Sequence, residues 1–181
     1  TLPPRQHRPF AMVSEQARMN SVTFMSPSKA FNMPGLTASH ALIFNPELRA
    51  KFRQYIEACE LDMGHVFAFT AVEAAYSNGT EWLEQCLAYI QGNIDYVDDF
   101  LRTNAPKIKV IRPQASYLLW LDCREMGLTQ AELNDFFVDK AYLALNDGVS
   151  FGEEGRGFMR LNIASPRSIL EQAMKQLAEA Y

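Results

Sequence analysis

The spacing of apolar residues changes several times along this chain, and each change marks a new element. Ser21 to Met25 is a β-rich run and reads as a short strand; Thr37 to Phe44 reads as a second. Asn45-Pro46 predicts a helix start, with Asn as N-cap and Pro at the first helical position. That helix runs through about Ala58 and puts Leu48, Phe52, Tyr55 and Ile56 on one side. Gly64 opens a stretch, Val66 to Tyr76, that is apolar nearly all round, the pattern of a buried helix. Asn78-Gly79 breaks it. From Thr80, a possible cap, Leu83, Cys86, Leu87, Ile90, Ile94, Val97 and Leu101 recur at helical spacing. About 22 residues at 1.5 Å each give a helix of roughly 33 Å, long enough to bridge two domains. Pro106 closes it.

Beyond it the period shortens. Ile108 to Ile111 and Ser116 to Asp122 read as strands. Thr129-Gln130-Ala131-Glu132 is a capping box opening a helix with Leu133, Phe136 and Phe137 inside. Tyr142 to Leu145 reads as a short strand, Gly148 to Gly157 as a Gly-rich loop, and Phe158 to Ala164 as a strand. Ser165-Pro166 is expected to cap a last helix lined by Ile169, Leu170, Ala173, Met174 and Leu177. The order β-β-α-β-β-α predicts a compact α/β layer of roughly 75 residues. Two strands ahead of the long helix cannot form a stable sheet alone. With a first residue of Thr1, this reads as the back half of something larger.

Charge and cysteine usage narrow the function. A net charge of -4, a pI near 5.4 and scattered basic residues argue against a nucleic-acid partner. The opening decapeptide lacks the apolar region of a signal peptide. His65 to Tyr76, the most apolar window, is too short to span a bilayer and carries Glu73. A soluble cytoplasmic protein with no membrane partner is expected. Cys59, Cys86 and Cys123 form no Cys-x-x-Cys pair and read as buried free thiols. His7, His40 and His65 share no ligand spacing, so no metal is expected.

Lys29 is the leading candidate for chemistry. A strand delivers it into Ser26-Pro27-Ser28-Lys29-Ala30-Phe31-Asn32-Met33-Pro34-Gly35-Leu36, a polar, turn-like setting. A lysine at a strand end is where a Schiff base with a carbonyl is made, although most such lysines simply face solvent. Ser26 and Ser28 are small donors for a phosphate, and Phe31 and Asn32 would fix the turn. Ser26-x-x-Lys29 also fits the acyl-transfer signature Ser-x-x-Lys, with Tyr76-Ser77-Asn78 as a second element. None of the six lysines precedes Thr-Gly, and a strand leads into the motif where that family has a helix start. Arg160, in Phe158-Met159-Arg160-Leu161-Asn162, is a guanidinium aimed inward from a strand. It suits a substrate carboxylate or a structural ion pair. Arg167, at a helix start, reads as solvated. Gly152 to Gly157 carries two glutamates and reads as a turn rather than a phosphate cradle.

Together these residues resemble the C-terminal half of a fold-type I pyridoxal-phosphate enzyme of the class I/II aminotransferase superfamily. Ser26 to Leu36 is similar to its lysine motif. Gly152 to Asn162, Pro113 to Asp122 and Ser165-Pro166-Arg167 resemble the cystathionine β-lyase, or C–S lyase, branch. The resemblance covers essentially all 181 residues. It implies an α/β chain with the tail of a large cofactor domain over 1–78, a linking helix over 79–104 and a small domain over 105–181. It implies that Lys29 forms the imine with pyridoxal 5'-phosphate, that Ser26 and Ser28 contact the cofactor, and that Arg160 clamps the substrate carboxylate. Many aminotransferases carry a phosphate-binding arginine eight residues after the lysine. Thr37 stands there, as is common in the lyase branch.

The expected activity is C–S β-lysis of L-cystathionine or cysteine S-conjugates to thiol, pyruvate and ammonia, by a homodimer. An aminotransferase with the same residues in the same roles is the alternative, and a degenerate regulatory module a third reading. The family's pyridinium partner, ring-stacking aromatic and glycine-rich phosphate loop all precede the lysine and do not occur in this chain. The 181 residues alone are therefore expected to be inactive.

Overall fold

The computed structural model describes residue 2 and residues 4–181. The chain divides into two units, Gln6–Cys86 and Leu87–Tyr181, the second joined by the opening residues through Arg5. It is an α/β chain.

In the first unit a short helix absent from the expectation, α1 (Glu15–Met19), begins at Ser14, whose Oγ accepts from Ala17 N at 3.0 Å. Strands β1 (Thr23–Met25) and β2 (His40–Leu42) pair antiparallel, with Phe24 opposite Ala41. Helix α2 (Pro46–Ala58) starts as the Asn-Pro pair predicts: Asn45 Oδ1 accepts from Glu47 N at 2.9 Å and Leu48 N at 3.2 Å. The Asn45 amide also donates to Met19 O, which fastens α2 to the end of α1.

Helix α3 (Val66–Asn78) forms where its pattern places it, but the expectation of burial is wrong. Only Ala68 is buried; Val66 is 73% exposed, Phe67 69% and Phe69 65%. A helix apolar on every side needs neighbours on every side. The described residues of this unit supply one only beside Ala68.

Helix α4 (Thr80–Asn104) begins in the first unit and ends in the second. Its buried residues are Ile90, Asn93, Ile94, Val97 and Leu101, one stripe at helical spacing. Four strands follow: β3 (Lys109–Ile111), β4 (Leu118–Asp122), β5 (Asn146–Asp147) and β6 (Phe158–Asn162). They form an antiparallel sheet in the order β3-β4-β6-β5. Alternation sends Leu119, Leu121, Met159 and Leu161 to a buried face. Helices α5 (Gln130–Asp135) and α6 (Arg167–Ala180) add Leu133, Leu170, Met174 and Leu177 to the core, each buried. Each such leucine is worth about 1.5–3 kcal/mol.

The capping box is present, with Thr129 and Glu132 exchanging hydrogen bonds. Its backbone N–H bond holds the Glu132 carboxyl below the usual carboxylate range. Phe136–Lys140 continues α5 as a wider π turn that buries Phe136 and Phe137.

Three sequence expectations shift in this unit. Tyr142 to Leu145 is not a strand, because Tyr142 turns left-handed (φ 54°) and pairing starts at Asn146. The strand at Phe158 ends at Asn162, whose Oδ1 accepts from Ala164 N and turns the chain. Ser165 does not cap α6. Pro166 holds that position without a side-chain bond, and Arg167 N donates instead to Tyr89 Oη at 2.6 Å. The cysteines are free, but only Cys123 is buried; Cys59 is exposed. No helix is long and apolar enough to cross a membrane, and no group of His, Cys, Asp or Glu among the described residues is arranged to hold a metal.

Candidate active site

Lys29 lies in the turn that follows β1, with its side chain exposed. The turn is wound by its own backbone: Phe31 N donates to Pro27 O and Met33 N to Ser28 O, both at 2.9 Å. Asn32 takes the left-handed conformation (φ 51°) that closes it, a state Asn tolerates better than most residues.

Phe31 anchors the turn from below. Its ring stacks on Trp82 at 6.3 Å and meets Tyr76 edge-on at 5.8 Å. A Cβ on Gly79 would come within 2.6 Å of that ring, so the glycine makes room for it. Trp82 and Gly79 were not candidates from the sequence, where Asn78-Gly79 reads only as a helix break.

The two serines are wired together. Ser26 Oγ donates to Ala38 O at 2.6 Å and accepts from Ser28 N at 3.2 Å. The hydroxyls lie 2.5 Å apart. A carbonyl can only accept, so the single proton of Ser26 is spent on Ala38 and Ser28 must donate to Ser26. Ser26 thus closes the loop between β1 and β2, and Ser28 is the hydroxyl that can rotate outward. Thr37 is exposed and left-handed (φ 47°) at the end of the turn Pro34–Leu36.

Arg160 belongs to the other unit. It is not aimed inward: it lies on the sheet face opposite Met159 and Leu161, beside Trp120 on β4 and Asn146 on β5. Its partner is an amide rather than a carboxylate, so the ion-pair alternative is not what forms. Asn146 Oδ1 accepts from Nη2 at 2.9 Å and from Nε at 3.3 Å. The Phe151 ring lies 4.4 Å from the guanidinium carbon. Trp120 meets Phe151 edge-on and stacks on Phe158, both at 5.6 Å. Arg124 covers Phe158 at 4.8 Å and forks onto Asp122 through Nε at 2.9 Å and Nη2 at 2.7 Å. That fork holds the Asp122 carboxyl below its ordinary range.

Arg167 is not simply solvated. Its Nε donates to the buried Asn93 at 2.9 Å and its guanidinium lies 4.6 Å from the Tyr96 ring. A concavity of about 490 Å³ is lined by Ala11, Met12, Ser14, Glu15, Arg18 and Phe44 and includes none of the candidate residues.

The family described as Aminotransferase class I and II matches residues 5–177. The chain belongs to this family. It is 40% identical over 175 residues to "Cystathionine beta-lyase PatB" of Bacillus subtilis (strain 168), covering 97% of this chain and 45% of that protein. It is 34% identical over 174 residues to "Protein MalY" of Escherichia coli (strain K12), covering 96% and 45%. The crystal structure of cystalysin from Treponema denticola, which contains a pyridoxal 5'-phosphate cofactor, superposes with a TM-score of 0.91 at 31% identity, over 99% of this chain and 45% of that one. The chain thus spans about half the length of the relatives it matches, and its fold is that of the C-terminal part of these fold-type I proteins.

Proposed function

We propose that this chain carries the lysine and the carboxylate-binding arginine of a pyridoxal-phosphate-dependent C–S β-lyase. Its substrates would be L-cystathionine or cysteine S-conjugates, and its products a thiol, pyruvate and ammonia. The observation that carries the reading is the 40% identity to a cystathionine β-lyase across 97% of the chain, with Lys29 exposed on a braced turn.

The residues present fit that cofactor. An exposed amine suits its aldehyde, and the Ser28 hydroxyl and a short polar turn suit its phosphate. Ser26 supports the same turn through Ala38. When bound, the cofactor supplies a sink for the electron pair left at the substrate Cα. Lys29 would hold the cofactor through its amine and, once the substrate amine has replaced it, remove the α-proton. Arg160 would hold the α-carboxylate with a bidentate fork and so fix which Cα bond faces the base. A thiolate then departs from the β-carbon.

In this reading residues 1–78 belong to a cofactor domain, 79–104 link it to a small domain, and 105–181 form that domain. The active assembly is a cytoplasmic homodimer, and the 181 residues alone turn nothing over. The family description favours one second reading, an aminotransferase in which the same lysine returns the proton to the cofactor.

Borohydride reduction of the longest form the source makes, with pyridoxal phosphate present, should leave a reduced adduct on the Lys29 peptide. That form should release pyruvate from L-cystathionine without a keto-acid acceptor. A clean Lys29 peptide refutes the assignment. An adduct with strictly acceptor-dependent turnover replaces the lyase with the aminotransferase.

A further inference from the structure

We propose that Asn146 and Phe151 are positioning residues for Arg160, holding its guanidinium so that the Nη1–Nη2 edge meets the substrate carboxylate. The proposal rests on reading Arg160 as the carboxylate-binding group. Five N–H bonds leave a planar guanidinium along two usable edges. Asn146 Oδ1 takes one of them, accepting from Nε and Nη2 together. Arginine only donates, so the amide oxygen and not its nitrogen must face it. Phe151 covers one face of the plane, and the edge-on contact of Trp120 holds Phe151. What remains for a ligand is the outer fork, the geometry that a carboxylate accepts in two parallel bonds.

The two residues are themselves held. Asn146 sits directly opposite Arg160 in the β5–β6 pairing, so its Oδ1 is delivered by the backbone register. The next residue, Asp147, locks β5 in place. Its carboxylate accepts from Gln130 Nε2 and Asn134 Nδ2, both at 2.7 Å, and from Val149 N at 2.9 Å. Gln130 in turn accepts from Gly157 N at 2.7 Å, just ahead of β6. An amide at position 146 also has a chemical advantage over a carboxylate. It orients the arginine without neutralising it, so the whole positive charge stays available to an incoming anion. An aspartate there would occupy the same edge and compete electrostatically with the substrate.

Two readouts separate this proposal from the role of Arg160 itself. The first needs neither cofactor nor turnover. In the 181-residue chain the Arg160 Nε–H resonance, assigned by its loss in Arg160→Lys, should be restrained; Asn146→Ala should shift it and raise its mobility. The second is steady-state kinetics on the cofactor-loaded longest form. Asn146→Ala should raise KM for L-cystathionine roughly tenfold with kcat within about twofold, the pattern of lost uniform binding. Asn146→Asp should raise KM further. Phe151→Leu should raise it less, and Phe151→Tyr should restore it. An Arg160 resonance unchanged by Asn146→Ala overturns the proposal, as does a KM for Asn146→Asp equal to that of the parent. If Arg160→Lys leaves KM unchanged while Asn146→Ala still frees the resonance, the failure lies in the carboxylate role of Arg160 and not in its positioning.

Discussion

Replacing Asn93 by alanine should be among the most damaging single changes in the second unit, because one fully buried amide serves three elements. Asn93 lies mid-stripe on α4 with no exposed surface. Its Nδ2 donates to Ile163 O at 2.9 Å and Ser165 O at 3.1 Å, and its Oδ1 accepts from Arg167 Nε at 2.9 Å. The two carbonyls belong to the turn that leads from β6 into α6, and the guanidinium to the first residue of α6. Truncation leaves a buried carbonyl at Ile163, a partly buried one at Ser165 and a charged donor without its acceptor. Each orphaned group costs about 1–3 kcal/mol, less where water can enter, so a loss of roughly 3–5 kcal/mol is expected. Asn93→Asp tests the reasoning further. It strengthens the pairing to Arg167 but turns an anionic oxygen toward two carbonyl oxygens, so it too should destabilise. Urea denaturation followed by Trp120 emission provides the measure. A loss below about 1 kcal/mol for Asn93→Ala, or an Asp variant as stable as the parent, would refute the claim that the two amide protons hold the β6–α6 turn.

Three further outcomes follow from other contacts. Gly79→Ala drives a Cβ into the Phe31 ring and the Ala75 carbonyl; it should cost about 1–3 kcal/mol, shift Trp82 emission and slow borohydride trapping at Lys29. Gly148→Ala meets the carbonyls of Gly155 and Phe158, neither of which can yield without moving the loop, and should cost more than about 2 kcal/mol in urea midpoint measurements. Burial pushes the Cys123 thiol up to about 12 from an ordinary value of 9.0. Its contribution to stability is therefore full below about pH 9 and drains away as pH rises toward 12, by about 2 kcal/mol at pH 10.5, a loss that Cys123→Ala should abolish. Exposed Cys59 should meanwhile alkylate in the folded protein at pH 8 while Cys123 does not.

The elements that could be read from the sequence are those whose signals are local. The Asn45-Pro46 start of α2 and the Thr129–Glu132 capping box are satisfied within a few residues, so spacing alone found them. The apolar stripe of α4 was legible for the same reason, yet Asn93 within it passed unnoticed. Its partners lie about 70 residues on, and a polar residue on a buried stripe has meaning only once they are in place. The start of α6 failed in the same way: Ser165-Pro166 has the composition of a cap, but Tyr89 reaches the helix end first. Lys29 stood out because a strand, two serines and a Pro-Gly surround it. The brace beneath it, Tyr76 and Trp82 around Phe31, is assembled from segments some 45 to 50 residues away and left no local trace.

Strand alternation also divides the consequences of mutation along β6. Met159 and Leu161 point to the buried face, and truncating either should lower stability. Phe158 and Arg160 point to the other face, where Trp120 and Asn146 meet them. Losing the Arg160 guanidinium removes one amide contact and one ring contact on open surface, so the fold has little at stake there. That asymmetry makes the arginine available for function. A charge buried among Leu119 and Met159 would be needed for folding and bound to a fixed partner, whereas one on the outer face can be oriented by an amide, shielded on one side by a ring and still offer its fork to a ligand. The same five-residue strand thereby separates packing from recognition, and Arg160→Lys should change ligand affinity while leaving the urea midpoint close to that of the parent.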